Sequence, residues 1–156
     1  MSLGDEKGIN VMKILLINGA NLNLLGTREP EKYGSTTLKD IENSLLQKAN
    51  ELCVDIDFYQ SNHEGSIVDK IQSAKNLYDG ILINAGGYTH TSVVIRDAIS
   101  AVEIPTVEIH MTNIHAREEF RHTSLISAVC IAQVIGFKEQ SYTLALEGIV
   151  NYLKNN

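Results

Sequence analysis

The stretch KILLINGANLNLLGTREPEKYGSTTLKDIENSLLQKANELCVDIDFYQ, residues 13–60, decides the fold class. Its opening KILLIN, Lys13 to Asn18, is an unbroken apolar run that reads as a strand buried on both faces. After a loop, TLKDIENSLLQKANEL places Leu38, Ile41, Leu45, Leu46 and Ala49 at helical spacing. Thr37 stands before that helix as an N-cap, with Asp40 three residues on. VDIDFYQ then alternates Val54, Ile56 and Phe58, a strand with one face more buried than the other. A strand, a helical crossover and a second strand make the unit from which parallel sheets are assembled.

The alternation continues to the C-terminus. GSIVDKIQSAKNLY sets Ile67, Ile71, Ala74 and Leu77 on one helical stripe, and GILIN, Gly80 to Asn84, is again a continuous apolar strand. TSVVIRDAISAV is too long for a strand at this place and reads as a helix despite its β-branched residues. TVEIH is a fourth strand and AVCIAQVIG a fifth. SYTLALEGIVNYL closes the chain as a helix, with Leu144, Leu146, Ile149, Val150 and Leu153 available for packing. The expectation is an α/β fold, a flavodoxin-like doubly wound sheet of five parallel strands flanked by helices. Residues 12–156 form a single domain, and the polar, glycine-containing residues 1–11 read as an N-terminal extension or tag outside it.

Composition removes several function classes. The net charge is -6 and there is no lysine/arginine run, which argues against nucleic acid as the main partner. No apolar run approaches the ~20 residues that span a bilayer, and the N-terminus has no apolar signal core. A cytoplasmic protein is expected. Cys53 and Cys130 lie in apolar stretches without a C-x-x-C pair and read as buried reduced thiols. No lysine stands at a strand exit, so an imine mechanism is not expected. Walker and G-x-G-x-x-G loops are absent, which leaves a nucleotide cofactor without support. His110 and His115 are five apart, with no H-x-x-x-H or cysteine ligand set, so no metal is expected.

Ligands of open α/β sheets bind beyond the carboxyl ends of the strands. Three exits are polar: Asn18-Gly19-Ala20-Asn21-Leu22-Asn23, Asn84-Ala85-Gly86-Gly87-Tyr88-Thr89-His90, and His110-Met111-Thr112-Asn113-Ile114-His115. Single asparagines there are ordinary turn formers, but three such clusters at one end of a sheet mark a ligand site. The long connection from Leu22 to Thr36 reads as a lid. On it, Tyr33 is either a ring packed on the sheet edge or a base whose pKa Arg28 lowers. Arg28 is equally readable as a surface arginine paired with Glu29 or Glu31. His110 alone would pass for a core histidine, yet Glu108 two residues earlier suits a general acid whose tautomer a carboxylate sets. His90 is a candidate ligand or a capping residue. Arg117 and Arg121, in a REEFR segment that reads as helical, share a face and are candidates for hydroxyl or carboxylate binding. Asp97, seven residues after His90, reads as a surface or interface carboxylate.

At these residues the chain resembles the type II 3-dehydroquinate dehydratases. The likeness spans Met12 to Leu153 and rests on NGANLNLLGTREPEKYG, NAGGYTHTSVVIRDA and EIHMTNIHAREEFRHTS. It implies a flavodoxin-like fold and a dodecamer built as a tetramer of trimers. It also implies anti elimination of water from 3-dehydroquinate through an enolate, with no cofactor, metal or imine. By position, Tyr33 would remove the C2 proton and Arg28 would keep it as tyrosinate. Asn21 would hold the water that stabilises the enolate oxygen. His110, oriented by Glu108, would protonate the departing hydroxyl. Asn84, His90 and Arg121 would bind substrate hydroxyls, Met111 and Thr112 the carboxylate, and Asp97 would reach a neighbouring subunit's site. The family's first block usually reads Gly-Pro-Asn, whereas this chain has Gly19-Ala20-Asn21, which predicts a looser turn under Asn21. The rival reading is a flavodoxin-like protein that binds FMN or another small anion, but that predicts a Ser/Thr-rich first loop in place of the Asn/Leu/Arg-rich one present.

Overall fold

The computed structural model describes residues 10–27 and 29–156, except for the side chains of Lys32 and Tyr33. Residues 1–9, most of the expected N-terminal extension, lie outside the described residues. Five parallel strands form one sheet: β1 (Lys13–Asn18), β2 (Asp55–Gln60), β3 (Gly80–Asn84), β4 (Thr106–His110) and β5 (Ala132–Ile135), in the order β2-β1-β3-β4-β5. The helices are a short α1 (Pro30–Tyr33), then α2 (Leu38–Glu51), α3 (Glu64–Ser73), α4 (Val93–Val102) and α5 (Gln140–Asn155). The flavodoxin-like expectation holds.

Period-two alternation divides the sheet between two cores. Ile14, Leu16, Leu82, Val107 and Ile109 pack under α2 and α5, while Leu15, Ile17, Ile81 and Ile83 pack under α3 and α4. Residues 14–17 and 81–83 have no exposed surface, as expected of central parallel strands covered on both faces. The start of α2 carries the expected capping box. Thr37 Oγ1 accepts from the Asp40 N–H at 3.1 Å, and the Asp40 carboxylate accepts from the Thr37 N–H at 3.0 Å.

Four expectations need correction. Helix α3 ends at Ser73, and Leu77 is 61% exposed, not on the buried stripe. Asn76 takes a left-handed φ of 66° to turn the chain back toward β3, and Tyr78 anchors that turn through its hydroxyl, which donates to Asp57 at 2.6 Å. The fifth strand is shorter than AVCIAQVIG. Its first two residues, Ala128 and Val129, belong to the 3-10 turn Ser127–Val129, and only Ala132–Ile135 pairs with β4. REEFR is not an α-helix: Arg117 is extended and only Glu119–Arg121 form a 3-10 turn. Cys53 is exposed, because it holds the left-handed position (φ 57°) just past α2; both cysteines are free.

The strand order reverses between β1 and β3, so their chains leave toward opposite faces and open a crevice at the carboxyl edge. The two exits touch backbone to backbone. The Gly19 N–H donates to the Asn84 carbonyl at 2.8 Å, and a Cβ at Gly19 would lie 2.4 Å from the Ala85 carbonyl oxygen. That neighbour is main chain and cannot swing aside. Gly19→Ala should therefore cost about 2 kcal/mol or more, seen as a drop in Tm of roughly 4–8 °C for a domain of this size. An unchanged Tm would mean that the exits tolerate separation.

Candidate active site

The turn after β1 is held from the β2 side. Asn21 has φ 70° and its N–H donates to Asn62 Oδ1 at 3.0 Å. The Gln60 amide nitrogen donates to the Gly19 carbonyl at 3.2 Å and to Asn62 Oδ1 at 3.1 Å. These bonds brace the turn that Ala20 was expected to leave loose. Asn21 then opens a 3-10 turn, Leu22–Leu24, along one wall of the crevice.

The floor comes from β3 and β4. Asn84 is 4% exposed, and its amide is set by its neighbours. Nδ2 donates to the Tyr142 hydroxyl at 2.8 Å, and Oδ1 accepts from the Gly86 N–H at 3.2 Å. The Tyr142 hydroxyl in turn donates to Asn18 Oδ1 at 2.7 Å, and burial raises its pKa. One cavity then collects Asn21, Asn84, His90, His110, Met111, Thr112 and Arg121, seven of the residues named from sequence. Leu22, Leu24, Leu25 and Ile114 supply apolar wall, and no lysine whose side chain is described lines it.

Two imidazoles face each other across the cavity, their ring centroids 6.3 Å apart and their planes inclined by 21°. His90 Nδ1 lies 2.9 Å from the Thr123 carbonyl, an acceptor only, so Nδ1 carries the proton and Nε2 is left to accept. Burial lowers the His90 pKa, and the neighbouring His110 and Arg121 act in the same direction, so the ring is neutral near pH 7. His110 instead presents Nε2 to Glu108 Oε2 at 2.5 Å, which leaves Nδ1 for a ligand.

Glu108 lies behind His110, not in the cavity, because residues two apart on a strand share a face. It is fully buried. Burial alone would push its carboxyl up, but hydrogen bonds from His110, Gln133 and Ser124 outweigh that and hold it below the ordinary carboxylate range. Arg121 lines the cavity and its Nε donates to Glu118 at 2.7 Å. Arg117 lines it too, with one guanidinium nitrogen 3.3 Å from Thr112 Oγ1. The extended chain at Arg117 and the 3-10 turn after it bring both arginines inward, where an α-helix had been expected to do so.

Asp97 does not join this group; it is exposed on α4. Arg28 and the side chain of Tyr33 lie outside the described residues. Sequence reasoning overlooked Asn62, Ser124, Gln133 and Tyr142. Only EIHMTNIHAREEFRHTS, which ends on Ser124, carried a signal for any of them. Among the described residues no group of three or more His, Cys, Asp or Glu is placed to hold a metal, and no helix is long and apolar enough to cross a membrane.

Comparison with known proteins matches residues 12–150 to the family described as Dehydroquinase class II. The chain belongs to this dehydroquinase family. It is 59% identical over 145 residues to the 3-dehydroquinate dehydratase of Trichodesmium erythraeum, covering 93% of this chain and 97% of that one. The type II dehydroquinase structure from Butyrivibrio crossotus superposes with a TM-score of 0.87 at 45% identity, covering 90% of this chain and 98% of that one. That from Propionibacterium acnes gives 0.86 at 36% identity, covering 90% and 99%. In this dehydroquinase the strand exits carry the three blocks on which the resemblance rested.

The lowered Glu108 carboxyl makes a prediction about acid stability. Its contribution is complete above its ordinary value of 4.5 and is lost as pH falls through the lowered folded value. Each tenfold difference in proton affinity is about 1.4 kcal/mol. Urea midpoints followed from about pH 7 to about pH 3 should fall more steeply for the wild-type chain than for Glu108→Gln. Parallel curves would contradict a depressed carboxyl.

Proposed function

We infer that this chain is a 3-dehydroquinate dehydratase, which eliminates water from 3-dehydroquinate to give 3-dehydroshikimate in the shikimate pathway. The observation that carries this reading is a dehydroquinase-family cavity in which His110, backed by buried Glu108, faces the Asn21 turn. Nothing in the family match favours the FMN- or anion-binding alternative.

The chemistry assigns each group a task. Tyr33, as phenolate beside Arg28, takes the C2 proton, and the electron pair moves onto the carbonyl oxygen. That enolate needs donors already in place as its charge forms; Asn21 supplies them through a water. The carbonyl then re-forms and expels the C1 hydroxyl, which takes a proton from the His110 imidazolium and leaves as water. Neutral His90 accepts from a substrate hydroxyl at Nε2, with Asn84 and Arg121 on neighbouring hydroxyls. Met111 and Thr112 hold the carboxylate. The loop bearing Arg28 and Tyr33 closes over the site and excludes water.

Asp97 serves a neighbouring subunit's site in a dodecamer, a tetramer of trimers. Two facts support this: Asp97 is exposed and away from its own chain's cavity, and Val93 and Val94 on the same helix are 57% and 50% exposed. The enzyme works in the cytoplasm.

Absorbance at the enone band reports turnover directly. Tyr33→Phe should lower kcat by at least about 100-fold while substrate still binds, since only the proton acceptor is lost. Near-normal kcat would remove Tyr33 from that role. Wild-type activity should survive borohydride treatment in the presence of substrate; inactivation would reveal an imine. Mixed oligomers of inactive Asp97→Ala and Tyr33→Phe chains should recover part of the activity. No recovery in verified mixed oligomers would rule out a shared site.

A further inference from the structure

We propose that Ser124 and Gln133 are positioning residues for the proton donor, holding the Glu108 carboxylate as a fixed anion against His110. The proposal rests on the reading of His110 as the group that protonates the departing hydroxyl.

The geometry around Glu108 is one-sided. Ser124 Oγ accepts from the N–H groups of Ile126 and Ser127, at 3.2 and 3.1 Å. With its lone pairs engaged, its single proton goes to Glu108 Oε1 at 3.0 Å. Gln133 stands directly opposite Glu108 in the β4–β5 register, and its Nε2, a pure donor, reaches Oε2 at 3.0 Å. His110 Nε2 bonds the same oxygen. A protonated Glu108 would need an acceptor for its own O–H. Neither Ser124 nor Gln133 Nε2 offers one, so both favour the anion.

Other ionisable groups near Glu108 do not take over this task. From its own strand it faces His110, from the turn after β3 His90, and from the segment before β5 the thiol of Cys130. Burial and the carboxylate itself push that thiol up to about 12, so it stays neutral. His90 is committed to the Thr123 carbonyl. Residues 123 and 124 therefore set both imidazoles: the Thr123 carbonyl makes His90 an acceptor toward the cavity, and the Ser124 hydroxyl makes Glu108 a lasting counter-charge for His110.

The test combines the pH profile of kcat/KM with imidazole NMR of His110 in the intact enzyme. In Ser124→Ala the carboxylate loses a donor and takes up a proton more readily. The acid limb of kcat/KM should then move to higher pH by about one unit, with kcat down about tenfold at the acid end and KM changed less than about twofold. Gln133→Leu should move the limb in the same direction, and it decides the matter if Ser124→Ala fails to fold, since Gln133 lies on an exposed edge strand. Ser124→Thr, which keeps the hydroxyl, should restore the wild-type profile. An acid limb that stays put in a folded Ser124→Ala or Gln133→Leu enzyme overturns the proposal. His110→Gln separates the two levels. If it retains turnover, the donor reading itself fails. If it loses turnover, and the His110 resonances of the wild-type and Ser124→Ala enzymes titrate identically, only the positioning claim fails.

Discussion

A parallel sheet sends every strand exit to the same edge, and here the two central exits are pressed together. Gly19 meets the Ala85 carbonyl with no room for a side chain, and a Cβ at Gly86, which has φ 59°, would lie 2.9 Å from the Ala20 carbonyl oxygen. The strands behind them are fully buried, so neither exit can relax by sliding. The crevice exists because the chain on either side of this contact departs toward opposite faces. Asn21, Asn84 and His90 all take their places from it.

From that edge two polar networks run down opposite faces of the sheet. On the α2/α5 face, Asn18, Tyr142 and Asn84 form a buried chain that orients the Asn84 amide. On the other face Ser124, Gln133, Glu108 and His110 form the second. Strand alternation keeps them apart: Asn84 follows the parity of Leu82, whereas His110 follows that of Glu108. A carboxylate in the middle of TVEIH is costly for a core strand, since a buried ion repays its desolvation only with several good partners. Glu108 has three, and the arrangement serves protonation chemistry better than it serves stability.

The wall of the cavity is irregular backbone where the sequence reads as a helix. An α-helix would also have set Arg117 and Arg121 on one face, a turn apart along its axis. The extended Arg117 followed by a 3-10 turn brings both guanidinium groups to the same opening. Arg121 is further steadied by Glu118, whose exposed carboxylate is lowered chiefly by a backbone hydrogen bond and by this pairing.

The sequence by itself determined the sheet, its helices and most of the cavity lining. Continuous apolar runs bounded by polar exits leave few arrangements, and Asn21, Asn84, His90, His110, Met111, Thr112 and Arg121 sit within or just past those exits. It was silent on partners that arrive from far along the chain. Gln133 lies 25 residues from Glu108, and Tyr142 lies 58 and 124 residues from Asn84 and Asn18, on segments that read as ordinary strand and helix. Asn62 bonds a turn 41 residues away. Local pattern reports which face a residue occupies, whereas the identity of a hydrogen-bond partner depends on which strands become neighbours and in what register. Only the folded sheet decides that, and with it whether a glutamate in a core strand is a burden or the counter-charge of a proton donor.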